Sequence, residues 1–310
     1  MNIVQNPAIS VVVPVFNSEG TLEEVFSRTS QVLESMAKSF ELIFVDDGSK
    51  DRSWEVLQEI KEKDPEHITA ISLHQNFGQH NATVCGLTFA RGDLIITLDD
   101  DLQHAPEDIS KLLETLKKED PDIVYGIFRS KKHSWLRNFW SKSIKTASKS
   151  LLKGTGKGSS FRLMKKEIVD KLLEHTVHFV FIDQLLLWHT SNIAFVEVEH
   201  HKRREKKSGY SARKLFSLAT DITYFYTNIP LKLMVYGGLF VSLFFFLFGL
   251  RYILQKLFFH VSVPGYASLI VTIMFSTGII VFSLGIIGGY LSRIYMMQNK
   301  RPTFTIKKIL

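Results

Sequence analysis

One cysteine, Cys85, stands in 310 residues. No internal disulfide can form, so a catalytic portion in a reducing compartment is the simpler reading. No GxGxxG occurs, which leaves a dinucleotide site unsupported, and no GxxxxGK[ST] occurs, which argues against a P-loop nucleotidase. His200 and His201 adjoin without any further ligand at metal spacing, so they read as non-ligands. Residues 1–10 lack a basic stretch followed by an apolar core, so no signal peptide is expected there. From Arg129 to Lys166 there is no acid at all. What is present is 45% hydrophobic and 22% charged, with a formal net charge of +7. That composition excludes a disordered chain. The positive excess suits nucleic acid, anionic lipid or phosphorylated substrates, and its location must decide between them.

The first half alternates strand and helix signals. Residues 9–16 hold three consecutive valines and end in the turn Asn17-Ser18-Glu19-Gly20. Thr21 with Glu24 forms a capping-box pattern that opens a helix to about Ser35. Residues 40–45 form a second strand, ending in Asp46-Asp47-Gly48-Ser49, and Asp51 or Ser53 opens the next helix. Residues 68–73 read as a third strand. Asn76-Phe77-Gly78-Gln79 then leads into a helix that closes between Phe89 and Gly92. Strands follow at 94–98, at 123–126 and, as the last one, at 194–198. This rhythm predicts a parallel, Rossmann-like α/β sheet whose polar strand ends line one rim.

The centre of the pattern is Leu94-Ile95-Ile96-Thr97-Leu98-Asp99-Asp100-Asp101-Leu102-Gln103. An apolar run breaks into three carboxylates at the carboxyl end of a strand, where open α/β sheets bind ligands. Alternation along extended backbone sends Asp99 and Asp101 to one side and Asp100 to the other. Two carboxylates and the Gln103 amide make an all-oxygen site, suited to magnesium or manganese rather than zinc. A solvated loop capping the helix near Pro106 is the plain alternative. Asp46 and Asp47, at a second strand end, are candidates for nucleotide contact. Gly78 permits close backbone approach, and the helix N-terminus behind it favours an anion.

Pro14-Val15-Phe16-Asn17, Asp46-Asp47-Gly48-Ser49, Asn76-Phe77-Gly78-Gln79 and Asp99-Asp100-Asp101-Leu102-Gln103 occur in that order. The combination resembles family 2 glycosyltransferases, and within them the polyprenyl-phosphate group that includes dolichol-phosphate mannose synthase and the undecaprenyl-phosphate sugar transferases. The family pattern is usually Asp-Ala-Asp-Leu-Gln, so Asp100 is an additional acid. The resemblance implies a GT-A-type domain in which Asp99, Asp101 and Gln103 hold Mg2+ or Mn2+ on a nucleotide diphosphate. It places Pro14, Asn17, Glu19 and Asp46 around the nucleotide, with Asp47 sharing that role and Asp100 assigned to the same side.

The second half is basic and then apolar. Across residues 135–152, Leu136, Phe139, Trp140, Ile144, Ala147 and Leu151 share one helical face, while Lys142, Lys145 and Lys149 share the other. A basic amphipathic helix with two tryptophans suits a membrane surface. Residues 154–162 read as a glycine-rich loop resembling the family's acceptor side, which makes Arg162 and Arg129 candidate phosphate contacts. Asp183, inside an apolar helix, either serves as a general base or orients a neighbouring loop. In the basic cluster at 200–211, Arg203 and Ser208 fit the family's Arg-x-x-Gly-x-Ser pattern, but Lys206 replaces the glycine, so either Arg203 or Arg204 is the candidate phosphate contact there. Residues 211–229 read as an interfacial amphipathic helix. Two spans between 230 and 292, each long enough for a hydrocarbon core of about 30 Å, read as a transmembrane hairpin. A basic tail covers 293–310. Excess Lys and Arg outside the hairpin put both ends in the cytoplasm.

The expected molecule is therefore a cytosolic domain over 1–210 anchored beside its acceptor. The resemblance implies an inverting, metal-dependent transfer from a nucleotide-sugar to a polyprenyl phosphate, with Arg129, Arg162 or Arg203 and the metal stabilising the leaving diphosphate. It points to a bacterial inner membrane and leaves a homo-oligomer open. The membrane segments count against nucleic acid as the partner. A transferase acting on another lipid or glycan, and a non-catalytic nucleotide-sugar-binding scaffold, are the competing readings.

Overall fold

The computed structural model describes residues 7–36, 38–128, 159–174, 182–201, 265–298 and 302–310, together with scattered positions between 234 and 258. The chain divides into two compact units, one comprising residues 1–209 and 301–310 and the other residues 210–300.

The first unit is built on β1 (Ile9–Val15), α1 (Leu22–Ser35), β2 (Phe40–Asp46), α2 (Ser53–Lys63), β3 (Ile68–Leu73), α3 (Gln79–Phe89), β4 (Leu94–Thr97) and α4 (Ile109–Glu119). It continues with β5 (Ile123–Phe128), β6 (Arg162–Lys165), α5 (Lys166–Leu173), α6 (Ile182–His189), β7 (Ile193–Val198) and β8 (Ile306–Ile309). The strands form one sheet in the order β7-β5-β6-β4-β1-β2-β3-β8. β4, β1, β2 and β3 run parallel, as do β5 and β7. β6 lies antiparallel between β4 and β5, and β8 lies antiparallel against β3.

Every residue of β1 is buried, because each face of the sheet meets a helical layer. Val11, Val13 and Val15 pack with Leu22, Leu57, Ile60 and Leu112 on one face. Val12 packs with Ala82, Cys85, Val169 and Leu185 on the other. This explains why the strand reads as an unbroken apolar run rather than an alternating one. The mainly parallel α/β architecture matches the expectation.

Four local expectations need correction. α1 begins at Leu22 as anticipated, but the Thr21 hydroxyl makes no capping bond. It donates instead to the carbonyl of Asp100 at 2.6 Å. The glycine-rich loop ends one residue early, because Arg162 opens β6. β7 is not the last strand, and the basic tail is not wholly separate from the domain. Its Lys307 and Lys308 lie in β8, which extends the sheet beyond β3.

In the second unit, α7 (Tyr266–Gln298) is a 33-residue helix, roughly 50 Å long at 1.5 Å per residue. Among the described residues it is the one helix long and apolar enough to cross a membrane, over Phe275–Ser292. In the first expected span the described positions between 234 and 250 are helical, while the amphipathic segments at 135–152 and 211–229 lie outside the described residues.

Candidate active site

The strand order places a switch point between β1 and β4. From β1 the chain winds outward through β2 and β3, then crosses back to β4 on the other side. Connections leave the carboxyl ends of β1 and β4 in opposite directions, and a crevice opens between them. The ladder stops at Val12↔Thr97, with one further bond from Leu98 N to Val12 O at 3.0 Å. Alternation along β1 turns Pro14 and Phe16 toward the same side as Val12. Pro14 has no N–H to offer, so its place in a central strand costs nothing where β4 has already turned away. Pro14 is thus part of the crevice wall.

The three carboxylates lie just past β4, in a turn rather than along extended backbone. Leu102 reverses the chain at φ 57°, a conformation that bulky residues rarely adopt, and its side chain is anchored in the core. The acids part company here. Asp99 accepts from Gln79 Nε2 on Oδ1 at 2.6 Å and from Ser160 Oγ on Oδ2. Asp101 accepts from the Gln103 backbone N–H at 3.1 Å and its side-chain amide at 2.8 Å. Asp100 turns toward β1, where its Oδ2 accepts from Phe16 N at 3.0 Å and Ser18 Oγ at 2.5 Å. Burial pushes the Asp99 carboxyl up to about 6, and the charges of Asp101 and Asp100 add to that effect. The outer pair thus forms an anionic site in which Asp99 feels the charge of Asp101. Among the described residues no three His, Cys, Asp or Glu side chains converge as a metal cage. Two carboxylates and an amide fit a hard divalent cation that draws its remaining oxygens from a substrate diphosphate and water.

The neighbouring turns interlock. Asn17, at φ 52°, donates its backbone N–H to Ser49 Oγ at 3.0 Å and accepts from Lys50 N on Oδ1 at 2.8 Å. Glu19 Oε2 accepts from Arg52 N at 2.9 Å. Asp46, 3% exposed, accepts from Ser49 N at 3.1 Å. Asp47 is 2% exposed and turns toward the 76–79 loop. Its two oxygens accept from the backbone N–H groups of Phe77 and Gly78 at 2.7 and 2.8 Å. Burial raises the Asp47 carboxyl to about 6 against those two bonds. Gly78, at φ 92°, adopts the backbone this grip requires. The same loop delivers Gln79 to Asp99. Asp47 therefore shapes the 76–79 loop.

Arg162 is not a surface cation. β6 places it between Thr97 and Tyr125 in register, and it is 2% exposed. Its Nε donates to Thr97 Oγ1 at 3.1 Å, and one terminal nitrogen donates to Asp183 at 2.6 Å. Its guanidinium lies 5.9 Å from the Tyr125 ring centre. Thr97 Oγ1 in turn donates to Ser160 O, so this buried group braces the loop whose hydroxyl holds Asp99. Asp183 pairs with Arg162, a partner that the sequence reading did not name. His80 faces the pair; burial, with Arg162 adding, lowers it to about 4. Beside Gln103, His104 stacks on Phe128 and Phe161 at centroid distances of 4.2 and 5.2 Å, and burial holds it near 4.

Asp99, Asp100, Asp101 and Gln103 thus meet Pro14, Asn17, Glu19, Asp46 and Gly78 along one rim, with Asp47 and Arg162 beneath it. Arg129 and Arg203 lie outside the described residues. Gln79, Ser160 and Ser18 were not singled out from the sequence. Their only signal was adjacency to a motif, since a Gln, or a Ser in a loop, is ordinarily solvent-facing.

The family model for glycosyl transferase family 2 matches residues 10–180. The undecaprenyl-phosphate 4-deoxy-4-formamido-L-arabinose transferase of Pseudomonas paraeruginosa is 34% identical over 310 residues, which cover 97% of this chain and 90% of that protein. Its namesake in Proteus mirabilis is 33% identical, covering 97% of this chain and 94% of that one. An uncharacterized glycosyltransferase of Synechocystis is 32% identical, at 97% and 95% coverage. Among solved structures, glucosyl-3-phosphoglycerate synthase from Mycobacterium tuberculosis in complex with uridine diphosphate superposes with a TM-score of 0.51. It is 19% identical and covers 70% of this chain and 78% of its own. The same enzyme with Mn2+, UDP-glucose and phosphoglyceric acid also gives 0.51 at 18% identity. These two likenesses concern the fold.

Proposed function

The chain belongs to glycosyl transferase family 2, and from that membership we propose that this glycosyltransferase moves a sugar from a nucleotide-sugar to a polyprenyl phosphate. The curated relatives that match nearly end to end carry that acceptor in their names. The observation that carries the reading is the acid turn just past β4, where Asp99 is held by Gln79 and Ser160 and Asp101 by Gln103. Asp99, Asp101 and Gln103 would hold Mg2+ or Mn2+ there. When bound, the cation neutralises charge developing on the leaving diphosphate.

The remaining work falls to the chain. Gln79 and Ser160 fix the orientation of Asp99, while the turns at 16–19 and 46–49 wall the nucleotide side. An oxygen of the lipid phosphate attacks the anomeric carbon, the bond from that carbon to the diphosphate breaks, and a nucleoside diphosphate departs. Such an oxygen is already anionic near neutral pH and needs no general base, which agrees with Asp183 being committed to Arg162. Arg129 and Arg203 are the proposed phosphate contacts beyond the rim. α7 and a preceding span over 230–250 would form a two-helix hairpin. Both chain ends and the catalytic unit would lie on the cytoplasmic side of a bacterial inner membrane.

The test is a transfer assay with purified full-length protein, radiolabelled nucleotide-sugars, Mg2+ or Mn2+ and undecaprenyl phosphate. Label is expected in the organic phase. Label appearing only on another lipid or glycan would replace the acceptor, and binding without product across sugars and metals would replace the enzyme by a scaffold.

A further inference from the structure

The middle acid of the triplet does a different job from its neighbours. Beyond Val12↔Thr97 no strand among the described residues pairs with the β4-facing side of β1. The first backbone donor exposed on that side is the N–H of Phe16, because Pro14 has none. Asp100 Oδ2 takes it at 3.0 Å and takes the Ser18 hydroxyl at 2.5 Å. The Asp100 carbonyl takes the Thr21 hydroxyl, drawn away from its capping position, at 2.6 Å. From the other flank, the same turn is gripped by β2's connection. Asn17 N donates to Ser49 Oγ at 3.0 Å, and Ser18 N donates to Ser53 Oγ at 2.8 Å. The turn carrying Asn17 and Glu19 is thus slung between two anchors, and Asp100 is the one on the metal side.

Resting on the donor-binding reading above, we propose that Asp100 is a positioning residue for donor affinity. It fixes the nucleotide-side turn at a set distance from the Asp99–Asp101 pair and so sets the width of the crevice, without touching the donor or the cation. The chemical requirement is an oxygen acceptor at this position, not a third negative charge. The effect belongs on donor affinity, because the turn it holds faces the nucleotide, whereas the outer acids act where the bond breaks.

The experiment measures donor KM, kcat and the Mn2+ concentration for half-maximal activity. The full-length enzyme is compared with its Asp100→Ala, Asp100→Asn and Ser18→Ala variants. Loss of hydrogen bonds to a charged acceptor should raise donor KM about tenfold in Asp100→Ala, with kcat within roughly threefold and any shift of the Mn2+ midpoint shared with Asp100→Asn, which loses the same charge. Asp100→Asn keeps an acceptor oxygen and should return KM to within about twofold of the wild type; Ser18→Ala should fall between. An unchanged KM in Asp100→Ala, an Asn variant whose KM matches that of the Ala variant, or a donor KM that follows the Mn2+ midpoint across the two variants would each overturn the proposal. Calorimetric titration with a nucleoside diphosphate in Mn2+ separates the two layers. Wild-type protein that binds none overturns the donor-binding reading and the proposal with it. Equal binding by wild type and Asp100→Ala overturns the proposal alone.

Discussion

The two ends of the central sheet treat buried acids in opposite ways. At the amino end, Glu41 in β2 is 2% exposed and fully engaged. Its Oε1 accepts from Ser10 Oγ at 2.6 Å and Arg91 N at 2.8 Å. Its Oε2 accepts from Arg91 Nε at 3.0 Å and a terminal guanidinium nitrogen at 2.5 Å. Ser10 Oγ also accepts from Gly92 N at 2.8 Å, so one acid rivets β1, β2 and the entry to β4. At the carboxyl end β4 parts from β1 after Thr97, and among the described residues the hydrogen bonds to Asp99 come from a neutral amide and a hydroxyl. An acid matched by a guanidinium has its charge answered inside the fold. An acid whose hydrogen bonds come from neutral donors is oriented, and with a guanidinium acting on it through space rather than in contact it still demands a cation. That difference separates a fastening from a site.

Breaking the contrast at the carboxyl end should give the largest effect. Asp99→Ala or Asp101→Ala should lower turnover about a thousandfold or more, as loss of focused charge stabilisation at a reaction centre does. Circular-dichroism melts should show little change, since neither carboxylate joins strands. At the amino end the outcome should invert. Arg91→Ala leaves Glu41 buried and unanswered, which costs about 3 kcal/mol after allowance for the partly exposed guanidinium. The melting temperature should fall by roughly 6–10 °C, while the Mn2+ midpoint of activity stays fixed.

The comparison sharpens with pH. A carboxyl raised to about 6 must lose its proton before it can bind a cation. The Mn2+ concentration for half-maximal activity should therefore climb as pH falls below about 6, and a metal titration of activity across pH 5–8 would show it. The smallest effect concerns Asp47, also raised to about 6. Its folded value exceeds the unfolded one, so the native state binds the extra proton between about pH 4 and 6. Stability should rise as pH is lowered through that window, and Asp47→Asn should remove part of the rise in melts run with a chelator.

Much of this was legible in the sequence where burial on both faces left a plain signature. The valine run of β1 and the apolar stretch before Asp99 identified their strands without ambiguity, and the polar turns after them located the rim. β6 was hidden because four residues after a glycine-rich stretch carry no usable period, and its first residue is an arginine. Arginine is rarely buried, and only register between Thr97 and Tyr125 reveals why this one is. β8 was hidden for a related reason. Lys307 and Lys308 read as tail charge, yet lysines are what a sheet's outermost strand carries to discourage further pairing. Asp100 could be set apart from its neighbours by alternation, but its partners on the β1 turn are distant in sequence and follow no local pattern.

β8 carries a consequence for how each copy of the molecule comes into being. Its partner β3 leaves the ribosome early, and β8 leaves it much later, after the long apolar helix α7 has been made. Leu310 and Ala70 exchange two backbone bonds, at 2.9 and 3.3 Å, across almost the whole length of the polypeptide. Until β8 arrives, the flank of β3 stays bare, a template for any passing strand. The sheet therefore closes this edge only after α7 has been made, which couples its protection to the synthesis of the apolar helix.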